Sequence, residues 1–351
     1  MIDSLIKQWD GENVIIRHDK PTGAWIIIAV HSTHLGPAVG GTRMKSYSDL
    51  EAALTDALRL AEGMTYKFAV PALPYGGGKA VIAIPPDIDE KSRADLLRRH
   101  GALIHQLGGL FMTGPDVGIS SADMDIIAET GDPYVHSRTE AAGGKGSPGP
   151  FTALGVFTGV QVACENLFDD PSLKGRRILV QGTGSVGGGL IELLGAAGAK
   201  VLFSEVAEDA IKYFRDEVGL EFVLPENLYT TECDIFAPCA LGGILSYETI
   251  SQLDCKAVVG GANNQFAVPK DADSLQARGI LYAPDYVINI GGAMAIMGME
   301  TRGWTRDQAE EEVAACVRNA LVKVFELAQA EGITTAEAAH RIAELNLSMD
   351  K

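Results

Sequence analysis

Short apolar runs and helical periodicity alternate along the first 115 residues. A short apolar run bounded by Pro or Gly is typical of a buried strand, whereas apolar residues three and four positions apart are typical of an amphipathic helix. The patterns predict strands over residues 25–31, 80–84 and 110–112, and helices over residues 48–63 and 92–107. In the first helix we expect Ser48 and Glu51 to form a capping box and Gly63 to act as the C-cap.

Beyond residue 150 the same two patterns alternate more regularly. Residues 141–150 are rich in Gly and Pro, so we expect a linker there. After it come predicted helices over residues 152–167 and 186–197 and predicted strands over residues 177–181, 201–204, 233–236, 256–259 and 280–282. Strands that alternate with helices are typical of a parallel sheet. Thr305 with Gln308, and Thr334 with Glu337, are capping pairs that predict two closing helices.

Composition and charge exclude several classes of function. The 351 residues include 29 Lys and Arg against 46 Asp and Glu, which gives a net charge of −17. Nucleic acids and anionic membrane surfaces attract basic faces, so neither is an expected partner. The five cysteines form no Cys-x-x-Cys and no signal peptide precedes them, which predicts reduced thiols in a cytoplasmic protein. We expect no membrane span, because no apolar run reaches ~18 residues, and no metal site, because the histidines lack ligand spacing.

A dinucleotide-binding fingerprint follows the predicted strand over residues 177–181. It reads Gly182-Thr183-Gly184-Ser185-Val186-Gly187 and opens a predicted helix, which is the context that the motif requires. The glycines let backbone amides and the helix N-terminus approach a pyrophosphate. Glu205, at the end of the next strand, should accept both ribose hydroxyls and repel a 2′-phosphate, which favours NAD over NADP.

A second glycine-rich segment, residues 76–78, lies directly before Lys79 and the predicted strand over residues 80–84. Its glycines leave room for a ligand and can adopt backbone angles that other residues avoid. Lys67 lies in an apolar stretch, where an unpaired charge is costly. Asp116 follows the strand over residues 110–112. Two lysines and an aspartate near a nicotinamide site indicate carboxylate binding, proton transfer and hydride transfer.

Asparagines follow two of the predicted strands in the second half of the chain. Asn263 and Asn264 follow the strand over residues 256–259, and Asn289 follows the strand over residues 280–282. These positions lie at the carboxyl edge of a parallel sheet, where ligands bind. The alternative is a turn residue, since asparagine tolerates the left-handed backbone conformation.

Seven ordered motifs resemble the glutamate/leucine/phenylalanine/valine dehydrogenase family, and the similarity covers nearly the whole chain. The motifs are residues 35–43, 63–67, 76–79, 113–117, 237–243, 262–265 and 282–286. The resemblance is greatest to the phenylalanine-specific members. It implies an α/β fold with a substrate-binding and oligomerisation domain at residues 1–148, a Rossmann-type NAD-binding domain at residues 149–327, and a cleft between them. A C-terminal helix over residues 328–351 would pack back onto the first domain.

The resemblance also implies oxidative deamination of an L-amino acid to a 2-oxo acid, ammonium and NADH by a homo-oligomer. Lys67 would hold the substrate carboxylate, Lys79 would activate a water that attacks the imine, and Asp116 would shuttle protons. The other implied substrate contacts are Gly40, Gly41 and Asn263 at the head group and Val39, Gly114, Ala293 and Ile296 around the side chain. The implied cofactor contacts are Thr152, Gly182, Gly184, Ser185, Val186, Gly187, Glu205, Cys239, Ala240, Asn263 and Asn289.

The implied pocket favours an apolar, aromatic substrate, with L-phenylalanine first. Glutamate-specific relatives carry a lysine where this chain has Val39, so an acidic side chain would be buried without a partner. Gly114 and Ala293 are small and leave room for a ring. Gly118, in contrast, resembles the leucine-specific type, and Ile290 and Gly261 depart from the alanines usual in the family.

Three alternatives remain at this point. Two are enzymes, a leucine/valine dehydrogenase and a tryptophan-preferring dehydrogenase. The third is an inactive NAD-binding regulatory protein, which predicts loss of Lys67, Lys79 or Asp116, whereas all three are present.

Overall fold

The computed structural model describes residues 2–349, which form two compact units. The first unit comprises the residues up to Ser147, the segment Ile296–Gly303 and the residues from Ala343 onward. The second comprises Pro148–Ala295 and Trp304–Ile342. The predicted ranges differ near the C-terminus, where 296–303 groups with the first unit and 328–342 with the second. Each unit combines helices with one sheet, so the predicted two-domain α/β class is confirmed.

The first unit is built on a mixed five-stranded sheet. Its elements are α1 (Ile2–Gln8), β1 (Asn13–Asp19), β2 (Ala24–Ser32), β3 (Ala38–Lys45), α2 (Leu50–Ala69), β4 (Gly76–Ala83), α3 (Glu90–Gln106), β5 (Phe111–Pro115) and α4 (Ser121–Gly131). The strand order is β1-β2-β4-β3-β5, and β3 runs parallel to both of its neighbours. Alternate residues of β2 face opposite sides: Ile27 packs with α2, whereas Ile26 and Ile28 pack with α3 and α4.

Helix α2 begins and ends later than the sequence pattern predicted. Asp49 is the N-cap, and its carboxylate accepts a hydrogen bond from the Ala52 amide at 2.8 Å, so the predicted Ser48–Glu51 capping box is wrong. The helix passes through Gly63 and ends at Ala69, so the predicted C-cap is also wrong. Its buried face continues with Thr65 and Phe68, and this packing outweighs the low helix propensity of one glycine.

Residues 76–78 belong to strand β4 and do not form a segment before it. None of these three glycines has a left-handed backbone conformation. Their absent side chains instead permit close packing. A Cβ at Gly77 would overlap the backbone of Thr65 in α2, and a Cβ at Gly78 would lie 2.8 Å from the ring of Phe111. The glycines therefore let α2 and β5 lie directly against the strand that carries Lys79.

The second unit contains a six-stranded, wholly parallel sheet. The elements from residue 149 onward are α5 (Gly149–Phe168), β6 (Arg177–Gln181), α6 (Ser185–Ala196), β7 (Lys200–Ser204), α7 (Glu208–Lys212), β8 (Glu221–Phe222), β9 (Ile235–Pro238), α8 (Tyr247–Gln252), β10 (Ala257–Val258), α9 (Asp271–Ala277), β11 (Leu281–Tyr282), α10 (Asp285–Ile288), α11 (Gly291–Thr301), α12 (Arg306–Glu331) and α13 (Thr335–Ser348). The C-terminal parts of α11 and α13, from Ile296 and from Ala343, group with the first unit. The order is β11-β10-β9-β6-β7-β8. The order reverses between β6 and β9, which is where ligands bind in sheets of this kind.

Three helices of this part of the chain bear on the predictions. Thr305 and Gln308 form the predicted capping box of α12, and Thr334 caps α13 by accepting a bond from the Glu337 amide at 3.1 Å. Helix α5 is long and apolar enough to cross a membrane by length and composition, which corrects the expectation that no such run exists. It is a core helix of the second unit, however, with Val156 and Val160 fully buried.

The extension of α2 through Gly63 makes a stability prediction. A Cβ at Gly63 would meet no atom within 4 Å, and the residue is helical and exposed. Gly63→Ala should therefore raise the free energy of unfolding by about 0.5–1 kcal/mol, because alanine loses less backbone entropy on folding. Urea denaturation followed by circular dichroism measures this. A destabilised Gly63→Ala variant would instead support the C-cap that the sequence suggested.

Candidate active site

The first unit contains a cluster of three charged side chains, of which Lys79 is buried and Arg43 and Asp116 are largely shielded from solvent. The Lys79 Nζ atom lies 2.7 Å from the Asp116 Oδ2 atom, and the Arg43 Nε atom donates to the same oxygen at 2.9 Å. The side chains of Lys79, Arg43 and Asp116 are 8%, 16% and 19% exposed. The predicted pair of Lys79 and Asp116 is therefore brought together by the fold, with an arginine as a third member.

The cluster keeps Asp116 ionised. Burial by itself would raise the pKa of Asp116, but the positive charges of Lys79 and Arg43 outweigh burial and hold this pKa far below its usual range. Burial likewise opposes the charge of Arg43, and the carboxylates of Asp116 and Asp56 raise its pKa. Asp116 is thus a carboxylate at neutral pH, and the Lys79 Nζ atom is in contact with it.

Strand register explains why Asp116 lies beside the glycines of β3. Gly40 pairs with Thr113 and Gly41 with Gly114 across the parallel β3 and β5 strands. A Cβ at Gly41 would lie 2.8 Å from the Pro115 carbonyl oxygen and 3.0 Å from the Asp116 Cβ. Only glycine at this position lets the end of β5 approach β3 so closely, which puts the backbone of β3 next to the Asp116 side chain.

The loop after Asp116 is held from two sides. The Met44 amide donates to the Val117 carbonyl oxygen at 2.9 Å, and Arg93 Nη2 donates to the Gly118 carbonyl oxygen at 3.0 Å. Gly118 has φ +77°, and a Cβ there would overlap the Met44 carbonyl oxygen. This backbone requirement is a sufficient reason for glycine at position 118, independent of the substrate.

A second buried polar group links the strands that carry the cluster. The hydroxyl of Thr42 lies 2.7 Å from that of Thr113 and 2.9 Å from the His100 Nε2 atom. Burial lowers the pKa of His100 to about 3, so this imidazole is neutral at physiological pH. The group fixes β3, β5 and α3 relative to one another without adding charge to the site.

The remaining predicted residues of the first unit lie on several elements. Lys67 is in the last turn of α2, two residues after Thr65, which contacts the Gly77 backbone. Val39 and Ile296 are buried, at 6% and 3% exposure. Gly114 is partly exposed in β5.

A carboxylate from α11 fixes the segment beside Gly114. Glu300 lies 2.7 Å from the His136 Nδ1 atom through its Oε2, and its Oε1 accepts from the amides of Ser137 and Lys145 at 3.1 and 3.2 Å. A Cβ at Gly114 would lie 3.7 Å from the Ser137 Oγ, so Glu300 positions the nearest neighbour of this predicted pocket residue.

In the second unit, the fingerprint has the geometry of a phosphate cradle. Gly182 has φ +83°, and a Cβ at Gly187 would overlap the Gly182 carbonyl oxygen, so both positions require glycine. A Cβ at Gly184 would meet nothing within 4 Å, and no side chain caps the N-terminus of α6 at this residue. The first amides of α6, including those of the exposed Ser185 and the half-buried Val186, thus face an open space suited to a pyrophosphate.

Glu205 is bonded to its own surroundings in this structure. Its Oε2 accepts from the amide and hydroxyl of Thr183 at 2.8 and 2.9 Å, and its Oε1 accepts from the amides of Val206 and Ala207 at 2.7 and 3.2 Å. Burial would raise the pKa of Glu205, but these bonds outweigh it and lower the pKa. The Glu205 carboxylate therefore occupies the position next to these amides at the end of β7 where another anion could bind. If it is to accept hydrogen bonds from two ribose hydroxyls, some of its present bonds must break.

The predicted asparagines meet at the carboxyl edge of the sheet. The Asn289 Nδ2 atom donates to the Asn263 Oδ1 at 2.8 Å and to the Gly261 carbonyl oxygen at 3.2 Å. The bond to Oδ1 orients the exposed amide of Asn263, whose NH₂ group then points away from Asn289. Asn289 is buried, and its Oδ1 has no partner among residues 2–349.

Further predicted cofactor residues lie around this edge. The Thr152 hydroxyl donates to the Pro148 carbonyl oxygen at 3.1 Å and lies against Gly292, beside the partly buried Ala293. Cys239 and the exposed Ala240 follow β9 next to the fingerprint, and a Cβ at Gly182 would lie 2.6 Å from the Ala240 Cβ. Burial raises the pKa of Cys239 to about 11, so its thiol is neutral.

The two other departures from the family pattern have local explanations. A Cβ at Gly261 would lie 2.7 Å from the Val186 Cγ1 and 3.2 Å from the Val156 Cγ2, so Val186 leaves no room for alanine. Ile290 is fully buried and adds to the core of the unit.

Sequence reasoning missed three residues that position the site. Arg43 belongs to the charged cluster and Asp56 accepts a hydrogen bond from it at 3.0 Å. Asp285 accepts from the Asn264 amide at 2.6 Å, which holds the Asn263 loop. Arg43 could have been recognised as a charged residue within a strand, four positions after Val39 and therefore on the same face of that strand. Asp285 lies in one of the seven family motifs, residues 282–286, but the sequence assigned it no role. Among residues 2–349, no three His, Cys, Asp or Glu side chains are arranged to hold a metal ion.

Two family models match the chain. The model described as the Glu/Leu/Phe/Val dehydrogenase dimerisation domain matches residues 17–132. The model described as glutamate/leucine/phenylalanine/valine dehydrogenase matches residues 203–348. The predicted family resemblance is thereby confirmed.

Individual relatives match over nearly the full length. The chain is 42% identical over 348 residues to the leucine dehydrogenase of Thermoactinomyces intermedius, covering 99% of this chain and 94% of the relative. It is 41% identical over 340 residues to the valine dehydrogenase of Streptomyces virginiae, covering 96% and 94%. The crystal structure of L-tryptophan dehydrogenase from Nostoc punctiforme matches with a TM-score of 0.82 and 37% identity, covering 99% and 98%.

Proposed function

Because this chain belongs to the glutamate/leucine/phenylalanine/valine dehydrogenase family, we propose that it catalyses the NAD-dependent oxidative deamination of an apolar L-amino acid. The products are the 2-oxo acid, ammonium and NADH. The observation that carries the proposal is the buried contact of 2.7 Å between Lys79 and Asp116. Hydrolysis of an imine requires a group that takes up and releases a proton, and a lysine beside a carboxylate can do this.

The steps assigned to the protein are positioning and proton transfer. Lys67 would pair with the substrate carboxylate. Loss of a hydride from the α-carbon leaves an imine, and Lys79 would take a proton from the water that adds to the imine carbon. Asp116 would carry protons to and from the departing nitrogen. NAD, when bound, supplies the acceptor for the hydride.

The fingerprint and its surroundings support the choice of cofactor. Gly182, Gly184 and the first amides of α6 would hold the pyrophosphate, and Thr152 and Asn289 would lie towards the nicotinamide end. The negative charge of Glu205 disfavours a 2′-phosphate, which supports NAD over NADP.

The relatives change the preferred substrate. Leucine, valine and tryptophan dehydrogenases support an apolar amino acid, and they favour the branched-chain and tryptophan alternatives over phenylalanine. We propose leucine or valine as the first substrate class, on the identity to the leucine and valine enzymes. Tryptophan is the second candidate, because of the structural match and because Gly114 leaves room for a ring.

We further propose that the protein is a soluble, cytoplasmic homo-oligomer that acts on small molecules. The dimerisation-domain match over residues 17–132 supports the oligomer.

Substitutions in the charged cluster test the chemistry. Lys79→Ala and Asp116→Asn should each lower kcat about 100-fold or more, the usual scale for general acid–base groups, while NAD still binds. Lys67→Ala should chiefly raise KM, because it removes a contact made equally in the ground state and transition state. Lys7→Ala, an exposed lysine, is the control. Near-normal turnover in Lys79→Ala would exclude the proposed mechanism.

Substitution of Glu205 tests the cofactor preference. Glu205→Ser removes the charge that fills the anion position and leaves the amides of Val206 and Ala207 available, so the affinity for NADP relative to NAD should rise by about tenfold or more, or ~1.4 kcal/mol. Equilibrium titration of the two cofactors measures this. Glu208→Gln, which removes an exposed charge from the first turn of α7, should change little. A wild-type protein that binds NADP as well as NAD would contradict the role of Glu205.

Substitution of Gly114 tests the pocket. The methyl group of Gly114→Ala would lie 3.7 Å from Ser137 Oγ, an ordinary contact, so the fold should tolerate it. The ratio of kcat/KM for tryptophan to that for leucine should fall roughly 10-fold or more, the usual effect of a methyl group in an apolar pocket. Gly195→Ala, with no atom within 4 Å of the added Cβ, is the control. An unchanged ratio would remove Gly114 from the pocket.

A further inference from the structure

Arg43 joins the proposed catalytic pair to a second carboxylate. Its Nε atom donates to Asp116 at 2.9 Å, and its Nη1 atom donates to the Asp56 Oδ2 at 3.0 Å. Asp56, on α2, is only 14% exposed at its side chain. It is held in turn by the Tyr47 hydroxyl at 2.7 Å and by Arg59 Nη2 at 3.0 Å. One planar guanidinium thus bridges two carboxylates from different elements.

This inference rests on the proposed reaction, in which Asp116 needs a second positive charge besides that of Lys79. Lys79 changes its charge during the cycle, and when it is neutral Asp116 loses one of its two cations. A buried carboxylate without a positive neighbour is strongly disfavoured. Arginine stays protonated at all accessible pH values, whereas lysine does not. Arg43 can therefore stabilise Asp116 in both charge states of Lys79.

We propose that Arg43 is a positioning residue that serves as the permanent countercharge of Asp116, and that Asp56 holds Arg43 in place and moderates its charge. Arg43 touches neither substrate nor cofactor in this assignment. It acts through Asp116, and Asp56 acts through Arg43. The pH range in which the enzyme deaminates its substrate is then set by two residues outside the predicted site.

The charged groups around the bridge are few. Lys79 on β4 and Asp116 after β5 face Arg43 from one side, and Asp56 on α2 faces it from the other. Lys45 Nζ lies 4.6 Å from the ring centre of Tyr47, and the half-exposed Arg59 borders an open hollow of about 590 Å³ next to Asp56. Glu51, also on α2, lines the same hollow.

Two substitutions with opposite effects on charge test the proposal. Arg43→Gln removes a positive charge, so Lys79 should keep its proton to a higher pH, and the acid limb of the kcat profile for deamination should move up by about one pH unit. Asp56→Asn removes a negative charge, so the same limb should move down by about half a unit. The Arg43→Gln/Asp56→Asn double variant should lie between the two single variants, about half a unit above the wild type, because the two opposite effects partly cancel.

The control variant is Glu51→Gln. It removes a negative charge from the same helix and the same hollow without touching Arg43. The acid limb of its kcat profile should stay within about 0.2 pH units of the wild type, because Glu51 is partly exposed and solvent and salt screen its charge. Structural damage alone can lower kcat in any variant, but it does not move the limb in opposite directions for Arg43→Gln and Asp56→Asn.

A second measurement does not depend on turnover. Trace acetylation with acetic anhydride at a series of pH values modifies only neutral amines, and mass spectrometry of the peptide that contains Lys79 reports its ionisation. The labelling profile should shift up in Arg43→Gln and down in Asp56→Asn. Shifted labelling without any amino acid dehydrogenase activity would reject the proposed function and keep the inference. The inference would be overturned if the protein is an active dehydrogenase but the labelling profile of Lys79 does not shift in the two variants, or shifts in the same direction in both.

Discussion

A carboxylate removed from water needs a positive charge beside it, and in the first unit Asp116 has two, Lys79 and Arg43. The cost of an unpaired buried charge is several kcal/mol or more, larger than most single contacts can offset. Lys79 and Arg43 meet this need from two neighbouring parallel strands, and both donate to the same oxygen of Asp116. Asp56, Tyr47 and α2 then hold the arginine from the opposite side.

The charges can meet only because the backbones around them are close. Gly41 lets the end of β5 approach β3, and Gly77 lets α2 lie on β4 beside Lys79. In the second unit, Gly187 lets helix α6 lie against the Gly182 carbonyl oxygen directly after β6, and Gly182 lets Ala240 lie against the fingerprint. At most of these glycines the absence of a side chain matters more than the freedom of the backbone angles. Gly182, like Gly118 in the first unit, requires both a positive φ and the absence of a Cβ.

Membership of the family establishes an amino acid dehydrogenase, while the choice among apolar substrates depends on few side chains. Two departures from the family pattern have local causes: Gly118 fits against the Met44 carbonyl oxygen, and Gly261 fits against Val186. Gly118 therefore carries little information about the substrate. The leucine, valine and tryptophan dehydrogenases among the relatives give the better guide.

The sequence by itself determined the α/β class, many of the helices and strands and the fingerprint of the second unit, because periodicity and local motifs are properties of neighbouring residues. It predicted Lys79 and Asp116 as site residues, but it did not predict strands β1 and β3 or helix α4. Element ends were less certain: α2 continues through Gly63, since packing of Thr65 and Phe68 outweighs one glycine, and residues 76–78 are strand because α2 and Phe111 lie against them. Only the tertiary structure decided that Arg43 bridges Asp116 and Asp56, that Asp285 holds the Asn263 loop, and that Glu205 is bonded by Thr183, Val206 and Ala207. Most of these contacts join residues far apart in the chain, and strand register and helix placement set their distances, which no local pattern encodes.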